Sequence, residues 1–339
     1  MQTVSTTTQK GDAFPATLSK EIKDRFHHVD TDHFGRKRLY FENAGGSLRL
    51  KAALDAMTTV DAVPDSAERI HEVASWLKQV QLRGLEDVRL LLNARGGTVH
   101  ASLTASGAMF DMVRAVTEHV AGSNIVTTVL EHPSSFDAAS LYAQQLGKEL
   151  RVAPSNPLTG GIDADEVVGL VDENTCLLVV IYASNISGAK LNLEEIVRRA
   201  RERKPGLYVV VDAVQHAPHA VIDLQKTPVD GVNIAPYKFF GCRGSGFSWL
   251  SERAAKLPHH KLFGKQDDFW DLGSTAPWQF AVITAMVDYV CWIGSQFGDT
   301  DSRRTLFVQG MERIALHERA LLDRLLNGSD AAPGLRHIP

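Results

Sequence analysis

The chain has little that could build a disulfide framework, a metal cluster, a membrane span or a nucleic-acid surface. Its 339 residues include three cysteines, Cys176, Cys242 and Cys291. They are odd in number and far apart, which argues against paired bridges and clustered metal ligands and fits a reducing cytoplasm. No apolar run approaches the roughly 20 residues that cross a bilayer. Residues 1–12 (MQTVSTTTQKGD) are polar and lack the apolar stretch of a secretory leader. Charge is nearly balanced, 36 Lys and Arg against 40 Asp and Glu, so nothing points to nucleic acid or an anionic membrane as partner. Internal repeats are absent too, and the start is the one low-complexity stretch, rich in Thr. With 44% hydrophobic and 22% charged residues, the chain has the composition of a soluble globular protein, long enough for a large core and two domains.

What is there centres on residues 207–246. The stretch opens with Tyr208-Val209-Val210-Val211, a β-branched run that reads as a strand buried on both faces. It closes on Asp212, and open α/β sheets place ligands at the carboxyl ends of their strands. A second short strand, residues 231–234, leads to Lys238, set between aromatics and the glycine-rich turn at 241–246. An apolar setting lowers a lysine's pKa and makes its amine nucleophilic. A nucleophilic lysine and a carboxylate facing a heterocyclic cation are the two groups pyridoxal phosphate requires, the lysine carrying it as a Schiff base. Taken singly, the lysine reads equally well as a solvated loop residue and the acid as a helix cap.

The segments VVVDAVQHAPHAVIDLQ and APYKFFG resemble the cofactor-binding core of the cysteine desulfurase-like branch of the class V aminotransferases. The similarity runs, with gaps, from about residue 39 to about residue 287, and Asp212, Gln215 and Lys238 carry its most specific positions. The resemblance implies an α/β protein of the type I pyridoxal-phosphate fold, with a mainly parallel seven-stranded sheet between helices and an incomplete C-terminal small domain. It divides the chain into an N-terminal tail and helix (1–35), a cofactor-binding large domain (36–280), and linking helices with the start of a truncated small domain (281–339).

Taken along the chain, periodicity predicts a short helix near 18–26, a short strand at 39–41 running into a glycine turn, and helices over 50–60 and 70–93. The resemblance brings Asn43 and Ala44, in that turn, toward the substrate. A strand at 99–103 precedes Thr104-Ala105-Ser106-Gly107 and a helical pattern. A small-residue turn opening a helix can bind phosphate, although an ordinary strand–turn–helix has the same pattern. By the resemblance, the Ala105 and Ser106 amides and the Ser106 hydroxyl cradle the cofactor phosphate. After a strand at 125–129 comes Glu131-His132, whose His would stack on the pyridine ring and move protons. After the strand at 176–182, Asn185 would hydrogen-bond the phenolic oxygen, with Gln215 as second donor. Ala235-Pro236-Tyr237 stands where the family's desulfurases commonly have Ser-x-His, so Tyr237 takes the His place. Ser274, beside Thr275, would reach across a dimer interface to the neighbour's phosphate. His216 and His219 read as packing or solvent-facing, and Cys242 as structural. A helix over 280–293 and a long one over 302–327, stopped by Gly328, lead to a strand starting at 333.

The expected function is that of a cytoplasmic pyridoxal 5'-phosphate enzyme acting on a small amino acid, with Lys238, His132 and Asp212 catalytic. The reaction expected is that of a C–S (β-) lyase or desulfurase. A class V aminotransferase or epimerase uses the same core, and a non-catalytic remnant of the fold acting as a binding or partner subunit is a further alternative. The resemblance also implies a homodimer with a shared active site, and no metal.

Overall fold

A computed structural model describes residues 11–338, so the first ten residues of the expected tail and Pro339 lie outside the described residues. The chain enters through α1 (Ala16–Asp24), α2 (Lys51–Asp61) and α3 (Glu72–Leu92). Alternation follows: β1 (Thr98–Ser102), α4 (Ala105–His119), β2 (Asn124–Thr128), α5 (Pro133–Gln145), β3 (Glu149–Ala153), α6 (Ala164–Leu170), β4 (Thr175–Ile181), α7 (Leu193–Arg203) and β5 (Tyr208–Asp212). Then come β6 (Gly231–Ile234), a 3-10 turn at Pro236–Lys238, β7 (Gly246–Leu250), the short α8 (Glu252–Ala255), α9 (Pro277–Ser295) and α10 (Arg303–Asn327). The expected division at residue 280 falls inside α9.

The seven strands form one sheet in the order β1-β7-β6-β5-β4-β2-β3. β3, β2, β4, β5 and β6 run parallel, and β7 is antiparallel to both its neighbours. Strand alternation explains why both faces are covered. On β4 and β5, Leu178, Val180, Val209 and Val211 join the core built with α2, α3, α7 and α9. Leu177, Val179 and Val210 point the other way, into the core built with α4 and α5. A strand apolar on both faces is what a doubly covered parallel sheet demands. α9 is the hub of the outer helical layer, with α2, α3 and α10 packed against it.

One expected strand is absent and another is reduced to a two-residue ladder. Residues 39–41 form no ladder: Leu39 and Phe41 are exposed and no strand runs beside them. The Tyr40 hydroxyl instead donates to the carbonyls of Glu42 and Gly46, folding the segment on itself. The end of the chain makes a two-residue ladder, Ala332–Pro333 on Gly328–Ser329, and then a 3-10 turn at Leu335–His337. Two strands that periodicity did not pick out, β3 and β7, are short; β3 is an edge strand with its first residues partly exposed.

Candidate active site

β1, β2, β4, β5 and β6 all end at one edge of the sheet, since β1 is antiparallel to β7 and β7 to β6. That edge collects the loops the sequence singles out. Residues 104–107 follow β1, His132 follows β2, Asn185 follows β4, Asp212 closes β5, and Lys238 follows β6. They line one cavity of about 200 Å3, whose wall includes Ala105, Ser106, His132, Asn185, Asp212, Gln215, Tyr237, Lys238 and Arg243.

Lys238 is buried at the end of the 3-10 turn. Burial pushes its amine below the usual lysine range, and Arg243 adds to the push; Asp212 opposes it. Among the described residues its Nζ has no hydrogen-bond acceptor, and it stands 5.8 Å from the Tyr237 ring centre. An amine that is easily deprotonated and unengaged is available to attack a carbonyl. Asp212 is buried at the end of β5, which raises its carboxyl pKa. The Val214 N–H (3.0 Å) and the Ser135 hydroxyl (3.2 Å) donate to it and work against that rise, as do His132 and Lys238. A cation placed in the cavity beside it would restore the ionised form.

The start of α4 forms one wall of the cavity. Thr104 caps the helix, its hydroxyl accepting from the Gly107 N–H at 3.0 Å, which leaves the first amides pointing outward. Gly246 lets β7 pass beside this turn: a Cβ there would stand 2.2 Å from the Ala105 nitrogen. His132 is half-buried and caps α5, with its Nδ1 2.7 Å from the Ser134 hydroxyl. The Asn185 side-chain amide makes no hydrogen bond among the described residues: its Oδ1 is buried without a donor, and its Nδ2 is free to donate to a ligand. A free amine, a buried acid, an unpartnered amide and an anion-binding helix start in one cavity match the chemistry of pyridoxal 5'-phosphate in kind and number.

Three expected residues stand apart from the cavity wall. Asn43 and Ala44 lie in the exposed turn above it, tied in by Gln215, whose Nε2 donates to the Ala44 carbonyl at 2.9 Å. That bond takes one of Gln215's two amide hydrogens. Ser274 lies on a separate cavity with Thr275, His100 and Trp270. His216 is buried, stacked on Tyr182 with centroids 3.6 Å apart, and pushed down to about 3 by burial. His219 pairs with Glu318 at 2.8 Å. All three cysteines are buried, and burial raises each thiol, Cys291 to about 11. Residues that sequence reading passed over are Ser135, Glu131 as a strut, and Arg243. Glu131 is buried and accepts from the Ile181 N–H and the Thr128 hydroxyl, both at 2.8 Å, tying the ends of β2 and β4 together. Only Arg243 left a visible signal, a cation inside a glycine turn five residues after the lysine.

The fold and cavity define a pyridoxal-phosphate enzyme of fold type I. Residues 39–337 match the family described as aminotransferase class-V, and the chain belongs to that family, in its cysteine desulfurase-like part. Pyridoxal 5'-phosphate is its cofactor. A cysteine desulfurase of Escherichia coli O157:H7 is 28% identical over 334 residues, covering 93% of this chain and 78% of the relative. A probable cysteine desulfurase of Streptomyces coelicolor is 28% identical, covering 96% and 79%. With a cysteine desulfurase of Cronobacter sakazakii, also 28% identical, the match takes in 64% of this chain but only 52% of the relative. The apo structure of a cysteine desulfurase from Thermococcus onnurineus shares the fold with a TM-score of 0.68 at 18% identity, covering 91% of this chain and 73% of that one.

Proposed function

We propose that this chain cleaves a carbon–sulfur bond in a sulfur-bearing amino acid, as a C–S (β-) lyase or desulfurase. The observation that carries the reading is the buried, unengaged Lys238 amine sharing a cavity with the buried Asp212 carboxylate. Bound pyridoxal 5'-phosphate supplies an electron sink for the bonds at the substrate's α-carbon. Lys238 would hold the cofactor, and its Nζ, once freed, would be the base for the substrate's α-proton. Asp212 would keep the ring nitrogen protonated, and Ser135 and the Val214 amide hold that carboxylate in place. Asn185, Ser106, the Ala105 amide and His132, which line the same cavity, would hold the cofactor's phenolic oxygen, phosphate and ring. The thiols of Cys176, Cys242 and Cys291 are buried and raised by burial, so none of these three is poised to attack a substrate sulfur. The relatives' names favour a sulfur substrate over transamination or epimerisation. We further read the protein as a cytoplasmic homodimer in which Ser274 serves the neighbouring subunit's site; no helix among the described residues is long and apolar enough to cross a membrane.

The test is colour and product. Purified protein supplied with the cofactor should be yellow, and Lys238→Ala should lose the absorbance of the lysine-bound form and at least about 100-fold in turnover. S-substituted cysteines should release thiol with pyruvate and ammonia, and cysteine should release sulfide with pyruvate and ammonia or, in the presence of an added dithiol reductant, sulfide with alanine. A colourless protein that takes up no cofactor, or a coloured one that turns over no β-substituted amino acid, would overturn the proposal.

A further inference from the structure

A histidine inside a buried strand needs partners for its ring nitrogens. β1 carries one, His100, which is 5% exposed. Its neighbours Val99 and Ala101 turn into the apolar core, so His100 faces the other side of the sheet, toward α4. There its Nδ1 lies 2.9 Å from Oδ1 of Asp271, and the same oxygen accepts from the Ala101 N–H at 2.9 Å. An ionised carboxylate only accepts, so Nδ1 carries the shared proton. Nε2 has no hydrogen-bond partner among the described residues and stands 3.9 Å from Oδ2 of Asp111 on α4. One imidazole thus joins a strand, a helix and the segment between α8 and α9.

Asp271 opens a stretch with little else to hold it. Leu272, Gly273 and Ser274 are exposed, and Gly273 takes a left-handed φ of +101°. Among the described residues, three hydrogen-bonding groups tie residues 271–275 to other elements. His100 and the Ala101 amide bind Asp271, and Gln81 Nε2 donates to the Thr275 carbonyl at 3.3 Å. The residue before Asp271 is fixed from another side: Trp270 donates its Nε1–H to the Ala255 carbonyl at 2.9 Å and stacks on His259, centroids 4.1 Å apart. The hydroxyls of Ser274 and Thr275 are therefore placed by Asp271 at one end and by Gln81 at the other. The Asp271 anchor is the firmer, with two contacts at 2.9 Å onto a strand of the central sheet. A group mounted on a strand is held more exactly than one mounted on a loop.

We propose that His100 is a positioning residue that, through Asp271, sets where Ser274 and Thr275 stand, and so acts on the neighbouring subunit's cofactor rather than on its own. The inference rests on the reading of the protein as a homodimer in which Ser274 serves the neighbouring site. It adds to that reading a buried side chain of β1 that touches neither substrate nor cofactor, and a defect that shows only across the interface.

The experiment uses full-length mixed dimers, each with one Lys238 subunit and one Lys238→Ala subunit carrying different tags. The visible absorbance of the lysine-bound cofactor then reports the one site that keeps its lysine, and its dissociation constant is read. As the control for the shared site, Ser274→Ala with Thr275→Ala in the Lys238→Ala subunit should weaken binding at the reporting site. His100→Leu in that same subunit should weaken it about 10-fold, as expected for one lost hydrogen bond to a charged group. His100→Leu moved to the Lys238 subunit should leave the reporting site within about twofold of wild type. His100→Asn, whose amide can still donate to Asp271, should recover most of the affinity. A defect that appears when the substitution shares a chain with the reporting lysine, or no defect in either placement, overturns the inference, since a general structural role acts within its own chain. Thermal unfolding shows whether each mixed dimer is folded; where His100→Leu is not, Asp271→Ala takes its place and is judged by the same outcomes. If the control has no effect, or no mixed dimer forms, the shared-site reading fails first and this inference falls with it.

Discussion

Glu131 carries a pH signature of its own. Burial, offset by the Ile181 amide and the Thr128 hydroxyl and reinforced by the Asp212 charge, pushes its carboxyl up to about 8. The unfolded chain ionises it near its ordinary value of 4.5, so between about 4.5 and 8 the folded state holds the extra proton. Its contribution is therefore fully present below the lower value and lost as pH rises toward the upper one. Glu131→Gln keeps the acceptor oxygen and removes the titration. In cofactor-free protein, the variant's unfolding free energy relative to wild type should climb across that window by an amount on the order of a few kcal/mol. A flat difference from pH 5 to 8 in denaturant titrations would show the carboxyl to be ionised in the fold. Lys238 and Asp212 were legible as residues because each sits next to an unmistakable strand pattern. The Glu131 strut was not, because its partner Ile181 lies fifty positions away on a strand whose neighbour sequence does not name.

β7 and the start of α4 meet at Gly246, where one missing methyl group sets the spacing of two elements. A Cβ would meet the Ala105 nitrogen at 2.2 Å and the Thr104 carbonyl carbon at 2.3 Å, and both are backbone atoms that no rotamer change can move aside. Gly246→Ala should cost about 3 kcal/mol and shift the Ala105 amide, weakening cofactor uptake more than an equal loss of stability elsewhere in the sheet would. Thermal unfolding and the cofactor dissociation constant, measured together, check both parts; unchanged values for either would mean the turn has slack. Elements with strong periodicity were read nearly to the residue, as for α10, expected over 302–327 and observed at Arg303–Asn327. The strand expected at 39–41 failed because a short apolar run needs a neighbour to pair with, and Leu39 and Phe41 have none. β7 went unread because its surroundings, a glycine turn and a polar loop, mask five buried residues.

At the scale of the molecule, the site collects residues spread from position 103 to position 245, and a mainly parallel sheet is what gathers them. If the proposed dimer shares its sites, two inactive proteins should rescue each other. Lys238→Ala and the double variant Ser274→Ala, Thr275→Ala, co-refolded or subunit-exchanged, should regain activity, because one site of the mixed dimer then receives an intact lysine and an intact hydroxyl pair. No recovery, with mixed dimers verified by mass, would assign Ser274 to its own chain's separate cavity with His100 and Trp270. The sequence by itself determined the α/β class, the two strands at 208–211 and 231–234, and the lysine and acid they deliver, since each of these follows from local pattern and chemistry. Only the tertiary structure decided that His100 meets Asp271, that Glu131 bridges two strands, and that Ser274 stands away from the lysine. Those facts depend on distances between segments far apart in the chain, and such distances are set by how the layers pack.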